Sequence, residues 1–291
     1  MKILITGGTG LIGKKLCSAL LQNGHDLTIL SRRPAFVPNG CKAMASLSEW
    51  QPETIYDAVI NLAGEPIVDK PWTDERKKCL WDSRVTLTEE LVKHIEIANQ
   101  KPKVLISGSA IGYYGNTGDV VINESTSAGS DFGATLCSAW ENAALKSSIR
   151  VCILRTSLVL DSSGGFLKKM LLPFKLGLGG RMGDGKQWMS WIHIDDYVAI
   201  VIKLLDNAEA EGSYNMTAPE PVTNDQFTKT LAEIISRPAF FNMPDWFLKL
   251  LLGERAELIL GGQRVSSVKI NELGYEFVYP DLKNAIQSLL R

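Results

Sequence analysis

The chain is 291 residues long, with 45% hydrophobic and 22% charged residues, which is typical of a globular protein with a substantial core. Its net charge of −1 argues against a sequence-independent nucleic-acid-binding protein, since that role needs a basic surface. The five cysteines show no CxxC spacing and the three histidines are scattered, so we expect free thiols and no metal site. The apolar start of the chain is too short for a signal peptide, and no stretch is long enough to span a membrane. These features together predict a cytoplasmic protein.

Strand and helix patterns alternate along the first half of the chain. In chain order they predict a strand at 2–6, a helix at 11–23, strands at 26–30 and 57–62, a charged helical region at 73–99, and strands at 104–107 and 151–155. Near-continuous apolar strands separated by helices indicate a parallel sheet that is covered on both faces. The sequence therefore predicts an α/β fold.

The second half has a different composition. Residues 161–190 are rich in glycine, and residues 217–291 carry most of the later prolines and short helical patterns. We expect a sheet domain at 1–160, with a returning segment near 188–216, and a smaller lobe at 161–291 over the carboxyl edge of the sheet, where ligands of α/β proteins bind. A flap around Gly179–Gly185 is expected, followed by Trp188, which either stacks on a flat ligand or packs in the core.

A glycine-rich turn follows the first strand and opens the first helix, reading Gly7-Gly8-Thr9-Gly10-Leu11-Ile12-Gly13. Such a turn presents free backbone N–H groups and the positive end of a helix dipole to an anion. The glycines are needed where a Cβ would collide with a pyrophosphate or a neighbouring strand. The strand–turn–helix context predicts a dinucleotide site, and the alternative is a glycine-rich turn without a ligand.

The end of the second strand indicates which dinucleotide. An acidic residue there would bind the ribose 2′-hydroxyl of NAD, whereas arginine accommodates the 2′-phosphate of NADP. The sequence reads Ser31-Arg32-Arg33, with no carboxylate in the stretch. Arginine offers a planar, permanently charged fork that suits phosphate. We therefore predict NADP(H), the alternative being two solvated loop arginines.

Several motifs together resemble the extended, epimerase-like branch of the short-chain dehydrogenases/reductases. They are the stretches 6–13, 61–64 (Asn-Leu-Ala-Gly), 107–109 (Ser-Gly-Ser) and 191–196 (Trp-Ile-His-Ile-Asp-Asp). Further stretches resemble the atypical subgroup called "epimerase family protein": 82–84, 112–115, 173–180, 187–188 and 274–277. The resemblance covers essentially the whole chain. It implies a Rossmann-type, doubly wound parallel sheet that binds NADP(H), with a smaller C-terminal substrate lobe.

The resemblance also implies cofactor-site residues beyond the glycine turn. Leu62, Ala63 and Gly64 follow the fourth strand and match the family there. Arg84, in the Asp-Ser-Arg stretch, is placed to reach the cofactor phosphates, and the alternative for it is a salt bridge on a charged helix.

One departure from the family limits the mechanism. Typical members carry Tyr-x-x-x-Lys on the helix after the serine strand, where the lysine lowers the phenol pKa so that the tyrosine exchanges a proton at neutral pH. If Glu141 keeps the family register, Gly133 and Cys137 stand at these two positions. The only literal match, Tyr279 to Lys283, contains a proline and lies near the C-terminus, so we treat it as chance.

Three residues are candidates to replace the missing pair. Ser109 either orients a carbonyl or hydroxyl substrate or caps the next turn. Tyr113 and Tyr114 lie just downstream, and either one is a surrogate acid/base while the other packs in the core, or both simply pack. A cation is needed to tune a phenol, and the candidates are Arg84, Arg155 and His193. Asp196 is predicted to cap the following helix.

The predicted function is an NADP(H)-dependent oxidoreductase or epimerase that acts on a small carbonyl, hydroxyl or sugar-nucleotide-like compound. The alternative is a non-catalytic NADP(H) sensor that regulates a partner protein, which the missing pair favours. Neither a nucleic-acid nor a membrane partner is expected. The helices at 73–99 and 131–146 are compatible with pairing in a homodimer.

Overall fold

A computed structural model describes residues 1–290 of the chain. Its centre is a seven-stranded, fully parallel sheet. The sheet strands are β1 (Lys2–Thr6), β2 (Asp26–Leu30), β3 (Lys42–Met44), β4 (Ala58–Asn61), β5 (Val104–Ala110), β7 (Arg150–Thr156) and β11 (Gly212–Met216). The remaining strands are β6 (Val121–Ile122), β8 (Leu158–Leu160), β9 (Trp188–Met189), β10 (Trp191–His193), β12 (Val222–Thr223) and β13 (Arg264–Val265).

The strand order in the central sheet is β11-β7-β5-β4-β1-β2-β3. The order reverses beside β1, which places a crevice at the carboxyl ends of β1 and β4. The predicted doubly wound α/β fold is therefore confirmed. The predicted strand at 57–62 is one residue shorter at each end, a difference within the usual uncertainty of element ends.

Helices cover both faces of the sheet. They are α1 (Leu11–Gln22), α2 (Asp74–Trp81), α3 (Leu87–Ile97), α4 (Phe132–Ala144), α5 (Gly165–Lys175), α6 (Ile194–Asp206), α7 (Asn224–Ile234), α8 (Asp245–Leu252), α9 (Glu257–Leu260), α10 (Val268–Glu272) and α11 (Leu282–Leu290). Leu16 of α1 and Val201 of α6 pack with Ile3 and Ile5 on one face. On the other face, α3 and α4 pack against the alternate strand residues, such as Leu4. Successive side chains of a strand point to opposite faces of the sheet, so the apolar side chains are divided between two cores.

The charged helical region predicted at 73–99 consists of two helices. Helices α2 and α3 are joined by a π-helical turn at Asp82–Thr86, and the Thr73 side chain caps α2 by accepting a hydrogen bond from the Arg76 N–H. π-Helical turns inside helices occur often at functional sites, and this one carries Arg84.

The predicted capping role of Asp196 is wrong. The cap of α6 is His193, whose Nδ1 accepts from the Asp195 N–H at 3.1 Å. Asp196 lies in the first turn instead, fully buried, and accepts hydrogen bonds from the Tyr275 hydroxyl and from the N–H groups of Val278 and Tyr279. It anchors the C-terminal segment to the sheet domain, a long-range contact that local sequence does not reveal.

Three small two-stranded sheets accompany the central one: β8 with β10 and β9 with β12 from the C-terminal half, and β13 of that half with β6 of the N-terminal half. Apolar residues of α5, α7 and α11, including Phe174, Phe227 and Ile286, form a separate core there. Within residues 1–290, every helix falls short of the length and apolar character that crossing a membrane requires.

Candidate cofactor and active site

The glycine-rich turn lies against the segment that follows β4. Gly7 has a φ of +72°, and a Cβ on it would lie 2.6 Å from the Leu62 carbonyl carbon and oxygen. A Cβ on Gly13 would lie 2.2 Å from the Gly7 carbonyl oxygen, so α1 approaches the turn as closely as backbone allows. Gly10 is the N-cap residue of α1, and no side chain caps this end of the helix. The first N–H groups of α1, including those of Leu11 and Ile12, therefore form an uncapped helix N-terminus that suits an anion.

A buried polar network fixes the strand ends beneath this turn. The Asn61 side chain accepts a hydrogen bond from Thr6 Oγ1 at 2.7 Å and donates to Thr88 Oγ1 at 2.7 Å and to Ser107 Oγ at 3.2 Å. Thr6 Oγ1 in turn accepts from the Ala63 N–H at 3.1 Å. Because these buried groups are satisfied by one another, the network holds Ala63 and its neighbours in one position beside the turn.

Arg84 projects from the π-helical turn towards the same segment. Its guanidinium carbon lies 2.9 Å from the position of a Cβ on Gly64, and its nitrogens donate to the Glu65 carbonyl at 2.9 Å and to Ser83 Oγ at 3.3 Å. All its hydrogen-bond acceptors within residues 1–290 are neutral, and burial lowers the pKa of the guanidinium from its ordinary value. A partly buried cation without a carboxylate partner is arranged to receive an anion.

The first of the two arginines after β2 forms an ion pair with Glu65, a residue that the sequence pattern did not indicate. Arg32 Nη2 lies 2.7 Å from Glu65 Oε1, and Arg76 Nη1 lies 3.3 Å from Glu65 Oε2. The hydrogen bond from Arg32 lowers the pKa of the Glu65 carboxyl below its usual range. Arg33 is exposed, and its N–H donates to Ser31 Oγ at 3.1 Å. Glu65 directly follows the Asn-Leu-Ala-Gly stretch, and this position was the one sign in the sequence that it belongs to the site. Its contact with Arg32 depends on the fold.

Ser109 belongs to a buried ionic cluster. Its hydroxyl donates to Glu141 Oε1 at 2.7 Å, and Glu141 accepts from both Nε and Nη2 of Arg155 at 2.9 Å. The side chains of this ion pair are each 5% exposed. Glu141 marked the helix register in the sequence but was not predicted as a site residue.

The two candidate tyrosines differ in their surroundings. The Tyr114 hydroxyl donates to Asn215 Oδ1 at 2.6 Å and accepts from Arg155 Nη1 at 2.9 Å, and burial raises the pKa of this phenol. Tyr113 is half-buried, its ring centroid lies 3.7 Å from the Arg155 guanidinium carbon, and its hydroxyl has no hydrogen-bond partner within residues 1–290. Tyr114 is thus held in the core, and Tyr113 has the free hydroxyl.

The positions of the missing tyrosine and lysine lie on α4 near these groups. Cys137 is buried, and burial raises the pKa of its thiol to about 11, so it is protonated at neutral pH. A Cβ on Gly133 would lie 3.2 Å from Asp131 Oδ1, which is a tight contact, and 3.9 Å from Leu258 of α9. Arg155 is the candidate cation that the structure brings to the tyrosines.

Two other predicted residues are engaged elsewhere. His193 Nε2 lies 3.2 Å from Ser288 Oγ, its ring packs against Tyr279, and burial lowers the pKa of its imidazole. The indole N–H of Trp188 donates to Asp119 at 2.8 Å, and its ring faces the Arg264 guanidinium at 4.4 Å. His193 is therefore a buried structural side chain, whereas Trp188 is half-buried and held by contacts near the surface rather than in the core.

Comparison with known proteins agrees with this geometry. The model of the NAD dependent epimerase/dehydratase family matches residues 3–217, and a domain of unknown function, DUF1731, matches residues 243–289. The chain is 38% identical to the chloroplastic SDR39U1 homolog of Arabidopsis thaliana, an epimerase family protein, over 100% of this chain and 87% of the relative. It is 35% identical to the epimerase family protein YfhF of Bacillus subtilis, over 100% of this chain and 98% of the relative.

Solved structures show the same relationship. Human epimerase family protein SDR39U1, crystallised with NADPH, is 34% identical and superposes with a TM-score of 0.93 over 99% of both chains. The UDP-glucose 4-epimerase of Thermotoga maritima, at 17% identity and a TM-score of 0.79 over 99% of this chain and 96% of that chain, shares the fold alone. The protein belongs to the NAD-dependent epimerase/dehydratase family and is similar along its whole length to epimerase family proteins of the SDR39U1 type.

Proposed function

We propose that the chain binds NADP(H) and is an oxidoreductase or epimerase acting on a small carbonyl, hydroxyl or sugar-nucleotide-like compound. Two features carry the proposal: the uncapped N-terminus of α1, and Arg84, a cation without a carboxylate partner within residues 1–290. The glycine-rich turn and Arg84 both lie against the segment that follows β4, and both suit the charge of a pyrophosphate. Arg32 and Arg33 would bind the 2′-phosphate, as residues of this type suit that group. The human relative crystallised with NADPH supports this choice.

The chemistry proposed for the site follows from where its protons are. The Ser109 proton is directed at Glu141, so its oxygen lone pairs are left to accept a hydrogen bond from a substrate hydroxyl. Tyr113, whose ring lies against the Arg155 guanidinium and whose hydroxyl has no hydrogen-bond partner within residues 1–290, is proposed to exchange the proton. A bound NADP(H) supplies the hydride chemistry, and the residues of the chain orient the substrate and move its proton.

A non-catalytic NADP(H) sensor remains the second candidate. The observation that favours it is the absence of the usual proton-exchange pair, since glycine and a protonated cysteine occupy the positions of Tyr and Lys. A fold of this family supports cofactor binding better than it supports any one reaction.

Turnover separates the two candidates. We would follow NADPH absorbance against a panel of carbonyl compounds, and the interconversion of sugar-nucleotide epimers, which consumes no net cofactor. Both assays would use the wild type, Tyr113→Phe, Ser109→Ala and a control, Tyr56→Phe. Tyr56 precedes β4 and therefore lies at the opposite edge of the sheet. If the protein is an enzyme, we expect turnover to fall at least about tenfold in Tyr113→Phe and in Ser109→Ala, and to stay unchanged in Tyr56→Phe. Tight NADPH binding without turnover would support the sensor. Turnover that Tyr113→Phe leaves unchanged would exclude Tyr113 from the chemistry.

Residues 161–290, apart from the segment that contributes β11 to the central sheet, are proposed to form the substrate lobe; Arg291 lies outside the described residues. A homodimer that pairs α2, α3 and α4 across a two-fold axis is testable by analytical ultracentrifugation. The cytoplasmic location stays a prediction.

A further inference from the structure

The ion pair between Arg32 and Glu65 crosses the glycine-rich turn. Arg32 follows β2 and Glu65 follows β4, and β1 lies between these strands in the sheet. The 2.7 Å contact of the two side chains therefore spans the carboxyl end of β1, where the turn begins. A dinucleotide on the turn would bring its adenosine ribose to the same end of β2.

Of the two side chains in this ion pair, Arg32 is the one that is free to move away. The Arg32 side chain is 87% exposed, and ion pairs of such exposed groups contribute little. Glu65, by contrast, is 21% exposed and keeps a second cation, Arg76, at 3.3 Å. The Arg76 side chain is 10% exposed and also donates to the Pro66 carbonyl, so it stays in place. If Arg32 turns to another anion, the Glu65 carboxylate retains a counter-ion.

We propose that Glu65 is a specificity-determining residue that competes with the cofactor 2′-phosphate for Arg32. This inference rests on the proposed binding of NADP(H). A 2′-phosphorylated ligand takes Arg32 away from Glu65, whereas a ligand with a free 2′-hydroxyl leaves the ion pair closed. The preference for the phosphorylated ligand is then set by the difference in free energy between the contact of Arg32 with the phosphate and its contact with Glu65. Removing the carboxylate charge weakens the second contact and so increases the preference.

Binding of two adenosine fragments to the full chain tests this proposal. Isothermal titration would compare 2′,5′-ADP, which carries the 2′-phosphate, with 5′-AMP, which does not. We expect Glu65→Gln to tighten 2′,5′-ADP binding by about three- to tenfold, because the competition for Arg32 is lost. Binding of 5′-AMP should change less than about twofold.

A control variant accounts for the change in net charge. Glu89 forms an ion pair with Lys146 at 3.0 Å on the surface, and Glu89→Gln removes the same charge without changing the contact between Arg32 and Glu65. It should leave both affinities within about twofold of the wild type. In an Arg32→Gln background, adding Glu65→Gln should no longer tighten 2′,5′-ADP binding, because the residue for which they compete is absent.

Two results would overturn the inference. The first is an equal effect of Glu65→Gln on 2′,5′-ADP and 5′-AMP, which would make Glu65 a ligand of the ribose or a structural residue. The second is a gain in 2′,5′-ADP affinity from Glu65→Gln that is equally large in the Arg32→Gln background. This result would show that the effect of Glu65 is long-range repulsion of the phosphate. A wild type that binds neither 2′,5′-ADP nor NADPH would overturn the proposed function as well, so the two failures are distinguishable.

Discussion

The Glu141→Gln substitution tests whether the buried cluster beneath Ser109 is as tightly coupled as its geometry indicates. Glu141 accepts three hydrogen bonds, one from Ser109 and two from Arg155, in a place where both ionic side chains are 5% exposed. Glutamine keeps one acceptor oxygen and places an NH₂ group against a donor, while the Arg155 charge stays buried. Removing one partner of a buried ion pair costs about 3–5 kcal/mol, and we expect the lower end because the shape is kept.

Thermal unfolding followed by calorimetry measures this loss. For a chain of this length, about 3 kcal/mol lowers the Tm by roughly 5 °C. The control Glu89→Gln breaks an exposed ion pair with Lys146 and should lower the Tm by less than about 2 °C. Combining Glu141→Gln with Arg155→Met should cost less than the two single changes added together, because the stranded charge is gone. A Tm for Glu141→Gln that matches the control would refute the reasoning.

Two further predictions concern stability. Hydrogen bonds from Lys101 and Ser148 lower the pKa of Glu96 to about 2, so its contribution is complete above the unfolded-state value near 4.5 and is lost as the pH falls towards 2. Glu96→Gln should therefore destabilise the protein by about 1 kcal/mol at pH 7 in urea unfolding, and a difference that stays constant down to pH 2.5 would contradict this linkage. Tyr275→Phe removes one of three donors to the buried Asp196 carboxylate and should cost about 1.5 kcal/mol, or roughly 2–3 °C in Tm; an unchanged Tm would show that Asp196 does not depend on the phenol.

The sequence was most informative where the signal is local. The apolar strands, the glycine-rich turn and the Asn-Leu-Ala-Gly stretch each lie within a few residues, and the parallel sheet brings strand ends together by rule. The contact of Arg32 with Glu65 joins residues 33 positions apart, and it depends on the side-chain path across β1. Tyr113 and Tyr114 are adjacent in the sequence, yet only the second meets Asn215, 101 residues later. Pairings of this kind are decided by tertiary packing, which residue type and spacing do not encode.

The most direct test of the account is a titration of the wild-type chain with NADPH and with NADH, followed by the fluorescence of the bound nicotinamide. We expect saturable one-to-one binding that is at least about tenfold tighter for NADPH, as an arginine contact to the 2′-phosphate should give. We also expect loss of binding in Gly13→Ala, whose Cβ would lie 2.2 Å from the Gly7 carbonyl oxygen. Equal affinity for NADH and NADPH, or binding that survives in Gly13→Ala, would contradict a 2′-phosphate-selective site at the glycine-rich turn.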